Sequence, residues 1–269
     1  MAGTKGAVGG RLTTSGTDVQ VEMLDGHQHL EAAARLLWEV WGARTMAARD
    51  EVINTSLLRG LRCSGNYVAG AYHEGRLVGC TVGFFGARAL HSHLAGVVAS
   101  HRDRGVGFAM KCHQRQFALD QGFDTITWTS DPLLFRNAYF NLCKLGATAV
   151  AYEPDFYGRI DDGTNTDQHT DRLLMEWRLH AGWPAVGTPG KARFVSVVPS
   201  AELIHVPRNI DMLRDADPGS MERARTRMRA QFVTLLAEGY TVAGMSKAGA
   251  YVLLPAGVTP EYESSRLRR

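Results

Sequence analysis

Two features of this 269-residue chain could do chemistry: a turn rich in arginine and glycine, and a pair of histidines shortly before it. The turn contains Arg102, Arg104, Gly105 and Gly107, follows an apolar run and precedes a segment with helical periodicity. The first turn of a helix offers unpaired backbone N–H groups and the positive end of the helix dipole, so it binds anions. Glycine lets a ligand approach the backbone, and arginine pairs with phosphate through two donors. The pattern predicts a pyrophosphate site.

The full pattern Arg102-x-x-Gly105-x-Gly107 resembles the coenzyme A pyrophosphate loop of the GNAT acyltransferase superfamily. It lacks the third glycine of a dinucleotide-binding fingerprint and the Gly-Lys-Ser/Thr of a Walker A loop. A glycine pair alone is also compatible with an ordinary turn. The resemblance implies acetyl-CoA or another acyl-CoA as co-substrate. The residues that it assigns to coenzyme A are Val97, Val98, Arg102, Arg104, Gly105, Val106, Gly107, Phe108 and Asn137.

His91 and His93 stand two apart in the apolar run before the turn, so in a strand both side chains leave the same face. Imidazole, with an ordinary pKa near ~6.5, can take a proton from an amine nucleophile directly or through water. The spacing to Arg102 is similar to that of the double histidine in serotonin N-acetyltransferases, which implies a catalytic base. A metal pair and a purely structural pair are the alternatives. No third metal ligand lies at a recognisable spacing, so no metal is expected.

The segment that ends at Gly146 is similar to the superfamily's Asn-x-x-Ala-x-x-x-Tyr helix, with Ala138 in register. The tyrosine that protonates the departing thiolate in that family is replaced by Leu142. Tyr139 lies three residues earlier, on the same side of a helix, and is therefore the candidate general acid. A packing role for Tyr139 is the alternative.

Secondary-structure signals along the chain supply elements in an order that positions these residues. Alternating and apolar runs predict strands over 18–23, 67–72, 77–85, 90–98, 125–129, 147–152 and 172–179. Helical periodicity predicts helices over 29–41, 47–61, 106–119 and 134–145. This order is similar to that of the GNAT superfamily, so the resemblance covers residues 18–180. It implies an α/β (α+β) fold with a mixed, splayed central sheet flanked by helices.

The remaining chain lies outside the resemblance. Residues 1–17 are rich in Gly, Thr and Ser without an apolar run, which predicts a disordered tail rather than a signal peptide or a membrane span. Residues 181–269 are predicted to form a smaller α/β extension, entered through a Gly- and Pro-rich linker. Its predicted elements are strands over 193–198 and 203–206, a helix over 217–239, and a hairpin of 240–245 with 251–254. A solvated face, or alternatively an anionic-substrate patch, is predicted for the helix arginines Arg223, Arg225, Arg227 and Arg229.

The composition is that of an ordinary soluble chain, with 45% hydrophobic and 21% charged residues. A net charge of +3 gives no support for nucleic acid as a partner, and the absence of a long apolar run gives none for a membrane. The four cysteines show no Cys-x-x-Cys pairing, which favours reduced thiols in a cytoplasm over a zinc site or a disulfide framework.

The function that the resemblance implies is that of an acyl-CoA-dependent N-acyltransferase, in a bacterial branch of the superfamily with a long C-terminal extension. Some members of that branch are regarded as N-succinyltransferases of amino acids. We therefore expect an acetyl or succinyl group to be moved to the amine of a small molecule such as an amino acid, by a chain that could act as a homodimer. Leu142 keeps open the alternative of a non-catalytic acyl-CoA-binding or sensing module. If the histidines are structural, Glu74 and Asp131 are the next candidates for the base.

Overall fold

The computed structural model describes residues 12–13, 18–158, 169–180, 192–210, 217 and 219–265. Their contacts divide the chain into two compact units, with a boundary between Ile126 and Thr127. Each unit contains sheet strands and helices that pack on them, so both are of the mixed α/β class that the sequence predicts. The splay of the sheet stays a prediction.

The first unit is an antiparallel set of strands with helices packed on it. Its strands are β1 (Leu12–Thr13), β2 (Val19–Met23), β3 (Tyr67–His73), β4 (Arg76–Phe85) and β5 (Leu90–Val97). Its helices are α1 (His27–Trp41), α2 (Met46–Val52), α3 (Thr55–Cys63) and α4 (Val106–Asp120). Neighbouring strands pair antiparallel in the order β1-β2-β3-β4-β5, so β4 is the partner of β5 in this unit.

The helices of this unit cover opposite faces of the sheet, as the alternation of β4 shows. Cys80 lies in the same apolar core as Leu30 and Leu37 of α1, neither of which has exposed surface. The preceding residue, Gly79, would place a Cβ 3.0 Å from the sulfur of Met110 in α4. Since successive residues of a strand face opposite sides, α1 and α4 lie on different faces, and burial of their apolar stripes stabilises the layers.

Two local predictions for this unit differ from the structure. The helical stretch predicted over 47–61 is broken into α2 and α3, because Ile53 and Asn54 have extended backbones. Asn54 accepts a hydrogen bond from the Leu57 amide at 2.8 Å and so begins a new helix as its N-cap. Within the predicted tail, residues 12–13 pair with β2, and the other residues before position 18 lie outside the described residues.

The second unit combines the last part of the predicted GNAT region with the C-terminal residues. Its strands are β6 (Thr125–Ser130), which begins at the unit boundary, β7 (Thr148–Glu153), β8 (Arg172–Arg178), β9 (Ala192–Val195), β10 (Glu202–His205), β11 (Tyr240–Met245), β12 (Ala250–Pro255) and β13 (Tyr262–Ser265). Its helices are α5 (Phe135–Ala138), a π-helix (Tyr139–Leu145) that continues α5, and α6 (Ser220–Ala237).

Three of the C-terminal strands, β10, β11 and β12, extend the sheet of this unit. The strand order is β6-β8-β7-β11-β12-β10, and β11 joins β7 through the pair Val242 and Ala149. Strands β9 and β13 form a separate two-stranded sheet. The predicted linker over 182–190 lies outside the described residues. None of the helices in the described part of the chain is long and apolar enough to span a membrane.

Candidate active site

The predicted anion-binding turn lies between β5 and α4, as its sequence indicates. A 3-10 turn (Ala99–His101) follows the strand, and Gly105 precedes α4 with a left-handed backbone of φ 83°. Asp103 also has a positive φ of 61°, so the turn uses two positions at which most side chains are strained. Helix α4 then begins at Val106, the residue at which the sequence predicts it.

The N-terminus of α4 suits an anion because no side chain among the described residues caps it by a hydrogen bond. Its first-turn N–H groups belong to Val106, Gly107 and Phe108. Arg102 and Arg104 are both exposed, and the Nε of Arg102 donates a hydrogen bond to the Val97 carbonyl at 3.3 Å. The turn therefore joins helix-terminus donors to two accessible guanidinium groups.

The end of β5 is already engaged on the side that faces β4. The Val98 amide donates a hydrogen bond to the Val78 carbonyl at 3.0 Å, so this amide is not available to a ligand as the resemblance implied. Hydrogen-bonding direction alternates along an antiparallel strand, and the backbone of Val97 therefore points away from β4. Of the two valines, Val97 is the one whose backbone could meet a ligand.

His91 and His93 lie on one side of β5, although the strand is irregular there. Leu94 is opposite Val82 while Ser92 is opposite Gly83, so His93 is the extra residue of a β-bulge. Both imidazole rings lie beside Phe84, with centroid distances of 4.9 Å from His91 and 5.4 Å from His93. The two imidazole centroids are 6.1 Å apart.

A glycine opposite the bulge allows the two strands to come close. A Cβ at Gly83 would lie 2.9 Å from the carbonyl oxygen of His91 and 3.3 Å from the Nε2 of Gln114. Real Cβ atoms essentially never come that close to a backbone atom. Residue 83 must therefore be glycine for β4 and β5 to lie this close together.

Burial favours the neutral form of both histidines. Burial lowers the pKa of His91 to about 4, and the positive charges of His93 and Lys111 lower it further in the same direction. Burial also lowers the pKa of His93, although part of that residue remains exposed. A neutral imidazole can accept a proton, and a base is most effective when its pKa lies near the working pH. His91, with a pKa of about 4, is therefore poorly matched to direct proton transfer near neutral pH, and His93 stays the candidate for it.

A cluster of buried polar side chains lies between β5 and α4. Lys111 donates hydrogen bonds to Ser92 Oγ at 2.8 Å and to Gln114 Oε1 at 3.0 Å, and burial lowers the pKa of its ammonium to about 7. Nearby, the Tyr67 hydroxyl and His113 Nδ1 are 2.8 Å apart. Sequence reasoning missed this cluster. The available signal was the spacing of Lys111 and Gln114, three apart on the buried side of a helix.

The position of Tyr139 relative to Leu142 differs from the one that an α-helix would give. Residues 139–145 form a π-helix, whose i→i+5 hydrogen bonds widen the turn so that residues three apart no longer face the same way. The ring of Tyr139 instead stacks between Phe135 (centroid distance 6.4 Å) and Phe194 (6.0 Å). Leu142 is buried, and Asn137 lies exposed on α5.

The α6 arginines are only partly the solvated face that the sequence predicts, and for two of them the prediction is wrong. Arg225 is 2% exposed and donates two hydrogen bonds to Asp131, at 3.2 and 2.9 Å. Arg229 pairs with Asp171 and Asp155. These guanidinium groups are neutralised by carboxylates, which leaves them unsuited to an anionic substrate. Asp131, held by Arg225, is likewise a poor candidate for the base.

The described residues contain no group of three or more His, Cys, Asp or Glu side chains that could hold a metal ion. The other candidate base, Glu74, lies exposed in the turn between β3 and β4 with a φ of 49°. The candidate site in the first unit consists of the α4 turn, the end of β5 and the histidine pair.

Comparison with known proteins gives one family. Residues 10–131 match the model of the acetyltransferase (GNAT) domain. A search of curated proteins finds no match.

Solved structures similar to this chain include three acetyltransferases. One is the ribosomal-protein-S18-alanine N-acetyltransferase from Escherichia coli, with 12% identity over 62% of this chain and 97% of that chain and a TM-score of 0.48. Another is a GNAT family acetyltransferase from Elizabethkingia anophelis with acetyl-CoA bound, with 11% identity over 60% and 98% and a TM-score of 0.46. The third is an N-acetyltransferase from Staphylococcus aureus Mu50, with 14% identity over 61% and 99% and a TM-score of 0.49.

Proposed function

We propose that this chain, whose residues 10–131 match the acetyltransferase (GNAT) domain, is an N-acyltransferase of that family and moves an acyl group from coenzyme A to the amine of a small molecule. The observation that carries the proposal is the combination, within the first unit, of an uncapped helix N-terminus flanked by exposed arginines and a histidine pair on the strand that leads into it. The first element suits a pyrophosphate, and the second suits an amine that must lose a proton.

Acyl-CoA enters as a substrate whose pyrophosphate would be held at the start of α4. The N–H groups of Val106, Gly107 and Phe108 supply donors, and Gly105 has the left-handed backbone that brings the turn to the helix. Arg102 and Arg104 add charge-assisted hydrogen bonds to phosphate oxygens, which are about twice as strong as neutral ones. The backbone of Val97 would pair with the extended arm of the ligand.

The reaction requires removal of a proton from the acceptor ammonium. The amine nitrogen then attacks the thioester carbon, the C–S bond breaks, and coenzyme A leaves as the thiolate while the acyl group remains on nitrogen. We assign His93 as the group that accepts this proton, directly or through water, with His91 assisting beside it. General-base help of this kind contributes about 10²–10⁴-fold.

The leaving thiolate needs less help than the nucleophile. A thiol with a pKa near ~8.5 is a tolerable leaving group without a general acid. The aromatic stack around Tyr139 favours its packing role, while the catalytic role stays a proposal. Tyr139→Phe keeps the ring and removes the hydroxyl, so we expect turnover to fall less than about tenfold. A loss of 10² or more in a steady-state assay would identify the hydroxyl as the acid.

The identity of the substrates rests on the resemblance to a bacterial branch that includes N-succinyltransferases of amino acids. It favours acetyl or succinyl as the acyl group and an amino acid as the acceptor. The net charge of +3 favours a small molecule over nucleic acid as the acceptor. The four cysteines form no Cys-x-x-Cys pair, which favours reduced thiols and a cytoplasmic location. A homodimer stays a prediction.

Release of free thiol from acetyl-CoA and from succinyl-CoA, measured across a panel of amino acids and other small amines, tests this proposal. We expect one acyl donor and a subset of amines to give turnover well above hydrolysis. Leu142 favours one rival function, a module that binds acyl-CoA without reacting. Tight binding of acyl-CoA with no amine-dependent thiol release across the panel would identify that module.

A further inference from the structure

A buried lysine is attached to the strand that carries the two histidines. Lys111 of α4 is 8% exposed, and its ammonium reaches Ser92, the residue between His91 and His93, at 2.8 Å. Lysine is almost never buried without partners, because removing an ammonium group from water is costly. We therefore expect the buried Lys111 at the bulge of β5 to have a role that an apolar residue could not fill.

The second partner of this lysine is itself held in an unusual position. Gln114 has no exposed surface, and because an ammonium group only donates, it is the amide oxygen that faces Lys111, at 3.0 Å. The Nε2 of Gln114 has no hydrogen-bond partner among the described residues and lies where a side chain at Gly83 would meet it. Ser92 and Gln114 thus fix the ammonium from two elements, β5 and α4.

We propose that Lys111 is a positioning residue for His91: through its hydrogen bond to Ser92 it holds the bulge that sets the place of the His91 ring, and its ammonium acts on that ring electrostatically. This inference rests on the proposed function, in which His91 assists the base.

The charges around His91 agree with this role. The charges that lower the pKa of His91 are those of His93 on its own strand and Lys111 on α4, while β4 contributes the ring of Phe84. Burial is the largest cause of the lowered pKa of His91, followed by the charges of His93 and Lys111. Because the pKa of Lys111 is about 7, its ammonium is charged over the acidic range in which His91 gains its proton.

A titration of the His91 ring by NMR separates charge from packing. Lys111→Gln removes the charge and keeps an amide donor for Ser92, whereas Lys111→Arg keeps the charge. We expect the pKa of His91 to rise in the Gln variant and to stay near its wild-type value in the Arg variant. An unchanged pKa of His91 in a folded Gln variant would overturn the proposal.

The wild-type protein provides a second measurement if the Gln variant does not fold. As Lys111 loses its proton near pH 7, the resonances of the His91 ring should show a second inflection at the pKa followed on the lysine side chain itself. Absence of that inflection would overturn the proposal. Neither titration uses a substrate, so a failure of acyl transfer would overturn the proposed function and leave this result standing.

Discussion

The turn at the start of α4 and the helical segment that ends at Gly146 both resemble motifs of one family, yet only the first is built as its local sequence predicts. Gly105 takes a left-handed backbone and α4 starts at the next residue. The second motif starts as α-helix and continues as a π-helix from Tyr139 to Leu145. A motif that depends on backbone conformation can be predicted locally, whereas the direction of a side chain depends on what packs against it.

The contacts that fix the side chains in and just before the segment that ends at Gly146 come from distant parts of the sequence. Phe194 of β9 stacks on Tyr139, and Arg225 of α6 pairs with Asp131 across 94 residues. Around the histidines the decisive partners are closer, since Lys111 lies 19 residues from Ser92. We therefore expect changes in the first unit to affect chemistry and changes around α6 to affect stability.

The largest effect on chemistry is expected from the double change His91→Ala and His93→Ala. Turnover at neutral pH should fall by about 10²–10⁴-fold, since the proton of the acceptor loses its base, and should partly recover at higher pH where free amine is abundant. Affinity for coenzyme A should stay nearly intact. The matched control is His27→Ala with His29→Ala, an exposed His-x-His pair at the start of α1, which should leave turnover unchanged. A double mutant that loses stability but keeps its activity per folded molecule would make His91 and His93 structural.

The largest effect on stability is expected from Arg225→Met. Removing the guanidinium takes two charge-assisted hydrogen bonds from the largely buried Asp131 and leaves Arg172, at 3.9 Å, as its cationic partner, which costs up to about 3–5 kcal/mol of unfolding free energy. Arg223→Met is the control, because Arg223 pairs with Asp217 at the surface and should contribute little. Urea unfolding measures both variants. Equal losses of unfolding free energy in the two variants would show that Arg225 contributes no more than a solvated surface arginine, as the sequence predicts.

The histidine pair and the α6 arginines show which features of this chain can be predicted from its sequence. The strands, α4 and the shared side of His91 and His93 follow from apolar alternation and glycine positions, which are local. Arg225 could not be recognised as buried, because in the sequence it is one of several arginines on a polar helix. Lys111 was missed for the same reason: whether a lysine is buried is decided by acceptors on another element, here Ser92.

A smaller effect is expected in the pH dependence of stability. In the unfolded chain His91 gains a proton near pH ~6.5, whereas in the folded protein it does so only near pH 4. Between these values the unfolded state binds more protons, so stability should fall as the pH is lowered from about 6.5 to about 4. His91→Asn should weaken this slope in urea unfolding followed across that range. An identical slope in the variant would show that His91 keeps its ordinary pKa in the fold.

The central claim is that the turn before α4 binds the pyrophosphate of coenzyme A, and calorimetric titration with acetyl-CoA tests it most directly. The double change Arg102→Ala and Gly107→Val removes a charge and fills the approach to the helix N-terminus. Arg59→Ala removes an exposed arginine of α3 as the control. We predict that the wild-type protein and the control bind acetyl-CoA with the same affinity and that the double variant shows no binding. Unchanged affinity in the folded double variant would contradict the account.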